Sequence, residues 1–452
     1  MLPTKRPVWF FVGVGVYLIW RRYKNARERR VLCGKESQEV DTRFERVREA
    51  FLRNYKEGRE AGSQLCCFYR SKQVVNISAG SKPENKMDRG TLAVIFSCTK
   101  VIESLAVAIL VNRGLLRYDE PISTYWPEFG ERVSKTVTVG DLMAHQAGVS
   151  RVSRATTVEE GVKIFSDPLL LQKELNENEP EWIPTSPPTR QLYHALTRGL
   201  YANEIVRRVD GREIGKLIQE EVLSKLEQDD ATCFHIGCPA ELQHRVTRHV
   251  EVQSKAFLVM RLILNLLLPK SLLGAVFDLD MDTVHPFEFE LIKVAMEGPQ
   301  RRAFTLCTDG PKSAAGIANN RTLRTLPFAS AFGITNAHTL ARIGNIIVSD
   351  RSVLSKEGLD EALDVKLPVL KDEALCRTLR MSKCGWGLDR FEFFGCGGWI
   401  GWAGMGGSVF VFDPRTQSTF AYVVNGFTQQ LTKARGLRIL KAFQEVIHEI
   451  EN

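Results

Sequence analysis

Ser97-Cys98-Thr99-Lys100-Val101-Ile102-Glu103-Ser104-Leu105-Ala106-Val107-Ala108-Ile109-Leu110-Val111 is the stretch whose reading decides the fold. A hydroxyl and an amine stand three residues apart at the head of an apolar run that ends at Asn112-Arg113-Gly114. Residues three apart on a helix share a face, so Lys100 falls beside Ser97. The positive end of the helix favours an alkoxide at Ser97 and a neutral amine at Lys100. Those are the conditions for a serine nucleophile activated without a histidine. The bland reading of S-x-x-K is a solvated helix start. Against it, this is the only S-x-x-K in the chain, and its helix is apolar nearly all round, as a core helix is.

Around that helix the pattern predicts strands at both ends and helices between. Residues 65–69 and 74–78 alternate about Arg70-Ser71-Lys72, a hairpin. A second hairpin is predicted over 407–412 and 419–424, about Asp413-Pro414-Arg415-Thr416. Helices are expected over 41–55, 140–147, 193–208, 212–226, 335–348 and 433–450. The fold class is α/β (α+β): an antiparallel sheet completed by the two termini and flanked by helices, with an all-α subdomain.

A net charge of +8 hints at nucleic acid, but residues 1–30 hold eight Lys/Arg against Glu28 and carry +7 of it, leaving +1 (8 − 7). Nucleic acid is therefore not an expected partner. Ten cysteines show no C-x-x-C spacing, so reduced thiols are expected and no metal site. Residues 7–20 are uncharged and mostly apolar, with basic flanks. We read residues 1–30 as a single-pass membrane anchor and basic flank, with the catalytic domain facing the cytosol. A mitochondrial presequence is the alternative. Residues 31–44 read as a linker and 45–450 as one domain, with a hydrophobic helical insertion near 254–300. Within it, residues 256–268 are apolar except for a stripe of Arg261 and Asn265, which suits a buried helix, or a lid or membrane-contacting helix that holds an acyl chain.

Several ordered blocks accompany Ser97. They are Asp119-Glu120-Pro121-Ile122 with Trp126-Pro127-Glu128-Phe129, the run from Val137 to Gly148, Tyr193-His194-Ala195-Leu196-Thr197 through Gly211, and Gly401-Trp402-Ala403-Gly404-Met405-Gly406-Gly407-Ser408. Together they resemble the serine β-lactamase and penicillin-binding-protein-like family, nearest to class C enzymes, class VIII carboxylesterases and animal β-lactamase domain-containing proteins. The resemblance implies a site in a cleft between a sheet domain and a helical domain, with no cofactor. It implies Ser97 as nucleophile, Lys100 and Tyr193 as bases, and the backbone N–H groups of Ser97 and Met405 as oxyanion hole. Trp402, Ala403, Gly404 and His194 would line the substrate. Gly404, Gly406 and Gly407 would let it approach the strand, and Tyr201-Ala202-Asn203 is a decoy for the tyrosine motif. His145 is expected to be structural and Cys98 inert.

Two departures from the family's pattern narrow the chemistry. Ala195 stands where lactamases keep Asn, and Trp402-Ala403-Gly404 replaces K-T-G, removing the cation that grips a β-lactam carboxylate. β-Lactamase activity is therefore doubtful. The expected function is acyl-enzyme hydrolysis of a small-molecule or lipid-like ester or amide. A peptidase or transacylase on a peptide-like substrate and a silent scaffold are the alternatives.

Overall fold

The computed structural model describes residues 38–85, 87–152, 156–252, 309–311, 313–389, 391–392, 395–428 and 434–452. Six strands form its main sheet: β1 (Gln38–Val40), β2 (Gly62–Tyr69), β3 (Lys72–Gly80), β4 (Ile400–Ala403), β5 (Val409–Asp413) and β6 (Ser418–Val424). Their order is β1-β3-β2-β6-β5-β4, antiparallel throughout. The two expected hairpins are present, and β2 joins β6 with Cys66 opposite Ala421 and Cys67 opposite Phe420. The sequence termini thus close one sheet. The stretch read as linker supplies β1.

Helices cover both faces of the sheet. On one lie α1 (Glu45–Lys56) and α5 (Ala434–Glu451), with Phe443 against Phe44 and Phe420. On the other lies α4 (Ala337–Ser349), whose Gly344 lets Thr419 and Phe410 approach; a Cβ there would sit 2.9–3.0 Å from their side chains. A strand buried on both faces loses the polar half of its alternation. That is why Leu65-Cys66-Cys67-Phe68 is continuously apolar and fully buried.

The S-x-x-K helix is α2 (Thr99–Asn112), buried from Thr99 to Leu110. It packs against α3 (Thr197–Asp210), which closes on Gly211 in the left-handed conformation. Two of the predicted boundaries that differ bear on the site. The helix expected over 193–208 begins only at Thr197, so Tyr193 lies in an irregular segment before it. The one expected over 140–147 is Val139–Met143, with a Thr138–Asp141 capping box; it ends before His145, whose φ is 67°.

The membrane expectation is corrected. Among the described residues no helix is long and apolar enough to cross a membrane. The strongly apolar α2 has 14 residues, short of the roughly 20 needed to span, and its apolar side chains are spent in the protein core. The run at 7–20 lies outside the described residues, as does the predicted 256–268 helix. The single-pass anchor, the membrane as partner and the cytosol-facing localisation thus have no support among the described residues.

Candidate active site

Ser97 lies in a 3-10 turn, Phe96–Cys98, that feeds α2. It is half-buried, whereas every other residue from Leu92 to Leu110 is buried. Phe96 holds a φ of 45°, a costly conformation for an aromatic residue. It turns the Phe96 ring onto Phe427, with centroids 5.5 Å apart.

The end of β4 runs beside this turn. A Cβ on Gly404 would stand 2.2 Å from the Ile95 carbonyl, so only glycine permits the approach. The Gly404 N–H donates to the Ser408 carbonyl at 2.8 Å, and Gly407 N–H to the Gly404 carbonyl at 3.3 Å. Neither bond uses the Met405 N–H, at the tip of that tight turn. The Met405 side chain is 41% exposed. The glycines of this turn serve packing. Their missing side chains admit protein: Ile95 at Gly404, the Phe427 ring at Gly406 and the Arg435 guanidinium at Gly407.

Tyr193 reaches Ser97 from the segment before α3. Its hydroxyl donates to Ser97 Oγ at 2.9 Å and accepts the Trp402 indole N–H at 3.2 Å. The two rings stack at 5.5 Å and 17°. Trp402 is buried, so it holds the tyrosine more than it lines open space. The Lys100 amine donates to the carbonyls of Ala195 at 2.6 Å and Ser330 at 3.0 Å, and lies 5.0 Å from the centre of the Tyr193 ring. Cys98 is buried with its thiol 3.6 Å from the Trp402 carbonyl, a packing contact against β4.

Two histidines fix the tyrosine segment. His145 Nδ1 accepts the His194 N–H at 3.1 Å, and the Leu192 N–H donates to the His145 carbonyl at 3.1 Å. His194 Nε2 accepts the Val149 N–H at 3.2 Å while Nδ1 faces the Leu192 carbonyl at 2.6 Å. That pattern requires a neutral ring protonated on Nδ1. Burial pushes the His194 pKa down to about 3, which keeps it neutral. His194 is fully buried behind Tyr193, so its contacts are those of a packing residue and not of a substrate wall. His145 is likewise buried and bonded to backbone.

Tyr201 is 0% exposed, accepts from Asn178 at 2.9 Å and packs on Trp126 and Phe129, away from Ser97. Trp386 donates to the Val101 carbonyl and Trp399 to Gln444, so neither joins the site. Among the described residues no His, Cys, Asp or Glu cluster has metal-binding geometry, and no cysteine is in a disulfide. Three participants escaped sequence reasoning: the Ser330 carbonyl, the Ala195 carbonyl and the Trp402 N–H as a donor to tyrosine. Backbone acceptors carry no side-chain signature, so no motif signals the first two.

Comparisons with known proteins bear on the family and the fold. A family model described as Beta-lactamase matches residues 44–443. An esterase/β-lactamase, LipL, of Mycobacterium tuberculosis is 26% identical over 404 residues, covering 85% of this chain and 82% of that protein. The crystal structure of a family VIII carboxylesterase superposes with a TM-score of 0.71 at 25% identity, covering 91% of this chain and 100% of the other. A penicillin-binding protein homolog from Caulobacter crescentus superposes with a TM-score of 0.70 at 24% identity, again over 91% and 100%.

Proposed function

This chain belongs to the β-lactamase family, and from that premise we propose that it hydrolyses an uncharged, lipophilic ester through an acyl-enzyme on Ser97. That it is a serine-type hydrolase in general follows from the family and the esterase relatives. The residue roles rest on one observation above all, the hydrogen-bonded chain Trp402 Nε1–Tyr193 Oη–Ser97 Oγ.

A neutral Lys100 amine has two N–H bonds and one lone pair. The carbonyls of Ala195 and Ser330 match the N–H bonds, and the lone pair takes the Ser97 proton. The serine oxygen then bonds to the substrate carbonyl carbon. Its oxyanion sits between the N–H groups of Ser97 and Met405, each donor worth a few kcal/mol in the transition state, about 3. As the carbon–oxygen bond to the alcohol breaks, the Tyr193 hydroxyl passes a proton to the leaving oxygen and recovers one from Lys100. Water repeats the sequence on the acyl-serine and releases the acid. The Trp402 N–H stabilises negative charge on the Tyr193 oxygen.

No cation stands in the Trp402-Ala403-Gly404 segment, which suits an uncharged acyl group, and the exposed Met405 gives an apolar lip. A fluorophosphonate probe tests the reading. Labelling of wild type and none of Ser97→Ala is expected; a folded wild type that stays unlabelled refutes it. A preference for acetyl over longer p-nitrophenyl esters counts against the lipophilic acyl group.

A further inference from the structure

Behind Lys100 lies a fully buried ion pair that the steps above do not use. Glu103 stands one turn along α2 from Lys100, on the same face. Arg198, near the start of α3, places Nε 2.7 Å from Glu103 Oε1; both side chains have zero exposure. All five guanidinium donors are matched. Nη1 donates to the carbonyls of Met143 and Gly385 at 2.9 Å each, and Nη2 to the Lys100 carbonyl at 3.1 Å and Ser104 Oγ at 3.3 Å. The other Glu103 oxygen accepts the Ser330 hydroxyl at 2.7 Å, and that hydroxyl accepts the Gly199 N–H at 2.7 Å. The Ser330 carbonyl accepts from Lys100 Nζ. Glu103 and the Lys100 amine therefore meet on the two ends of one residue.

A lone carboxylate at Glu103 would hold the neighbouring lysine as an ammonium, which cannot accept a proton. Arg198 cancels that field. We infer that the Glu103–Arg198 pair positions Lys100 and compensates charge beside it, leaving the amine neutral to act as base while Glu103, through Ser330, fixes one carbonyl that orients it. This rests on Lys100 being the base of the proposed reaction. It also gives a reason to bury an ion pair, an arrangement that seldom stabilises a fold by itself.

The other groups named above beside Lys100 carry no charge. On α2 there is Ser97. From the segment before α3 come Tyr193 and His194, the latter held neutral by burial. Behind Tyr193 is His145, whose Nδ1 accepts and so bears no proton. From β4 comes the Trp402 indole, and from the 330 turn a serine. Near Arg198, burial raises the Cys384 thiol to about 12. The Glu103–Arg198 ion pair stands next to them.

The test is the pH dependence of the fluorophosphonate labelling rate in full-length wild type, Arg198→Gln, Glu103→Gln and the double variant. Arg198→Gln should move the acid limb up by about one pH unit or more, a loss of about tenfold at pH 7 that alkali restores. Glu103→Gln should move it down. The double variant should return the limb to within about half a unit of wild type, because neutrality is restored. A uniform loss at all pH values with an unmoved limb overturns the inference, since a structural pair does not shift a titration. If Arg198→Gln does not fold, Glu103→Gln and the double variant decide by the same criterion. Wild type that does not label refutes the hydrolase reading and this inference with it; wild type that labels, with limbs unmoved, refutes only the inference.

Discussion

Two places among the described residues set a hydroxyl or thiol beside titratable side chains, and they differ in what surrounds them. One is Ser97 with Lys100 and Tyr193. The other is Cys66 on β2, whose Sγ stands 3.9 Å from His338 Nδ1, while His338 Nε2 lies 3.1 Å from Asp230 Oδ2. By residue type the second is the more familiar trio. Yet Cys66 is wholly buried between the sheet and α4, and burial raises its thiol pKa far above the ordinary value, with Asp230 adding to the effect. Asp230 is itself held low, against its burial, by its bonds to His338 and Arg89. Ser97 is half-buried at a turn, its oxygen already in a hydrogen bond to Tyr193. Access and a poised proton path make a site; residue types do not.

The contrast breaks most sharply under paired substitutions. Ser97→Ala should lower ester hydrolysis at least about a thousandfold, since removing a nucleophile abolishes the covalent route. Cys66→Ala should leave the rate within about twofold and cost about 1 kcal/mol of stability by urea denaturation. A comparable rate loss in both would erase the distinction. Tyr193→Phe should cost about a hundredfold or more in kcat, as expected for loss of a general acid–base group. Trp402→Phe, which keeps the stacking but removes the N–H, should cost about tenfold; an unchanged rate would reduce Trp402 to packing.

A smaller effect concerns stability. Burial lowers His194 and His249 from 6.5 to about 3 in the folded chain. As pH falls the unfolded chain takes up these protons first, so unfolding becomes easier. Their stabilising contribution is full above about 6.5 and is lost as pH falls towards 3, by about 1.4 kcal/mol per pH unit for each ring. Urea midpoints measured from pH 7 to 4.5 should fall accordingly, and His249→Gln should remove about half of that slope. A flat profile would mean that these rings do not stay neutral inside the fold.

Local signals made the hairpins and α2 legible, because alternation, turn residues and an apolar run each act over a few residues. The segment around Tyr193 was not legible. Its apolar spacing suits a helix, but His145 and Val149, more than forty residues away, hold it outside the helix. The Glu103–Arg198 pair joins positions 95 residues apart, which neither position announces. The tryptophan at 402 was read as a wall for substrate because its replacement of a cation is visible in sequence. Its indole N–H on Tyr193 is a matter of geometry. The glycine cluster of the 404–407 turn is visible in sequence; that its missing side chains make room for Ile95, Phe427 and Arg435 is visible only in the structure.

The most direct test of the central claim is rapid-quench mass spectrometry of the full-length protein turning over a p-nitrophenyl ester. One acyl group per chain, on the peptide that contains Ser97 and absent from Ser97→Ala, is the expected result. Hydrolysis by wild type with the acyl group on another residue, or undiminished in Ser97→Ala, would contradict it.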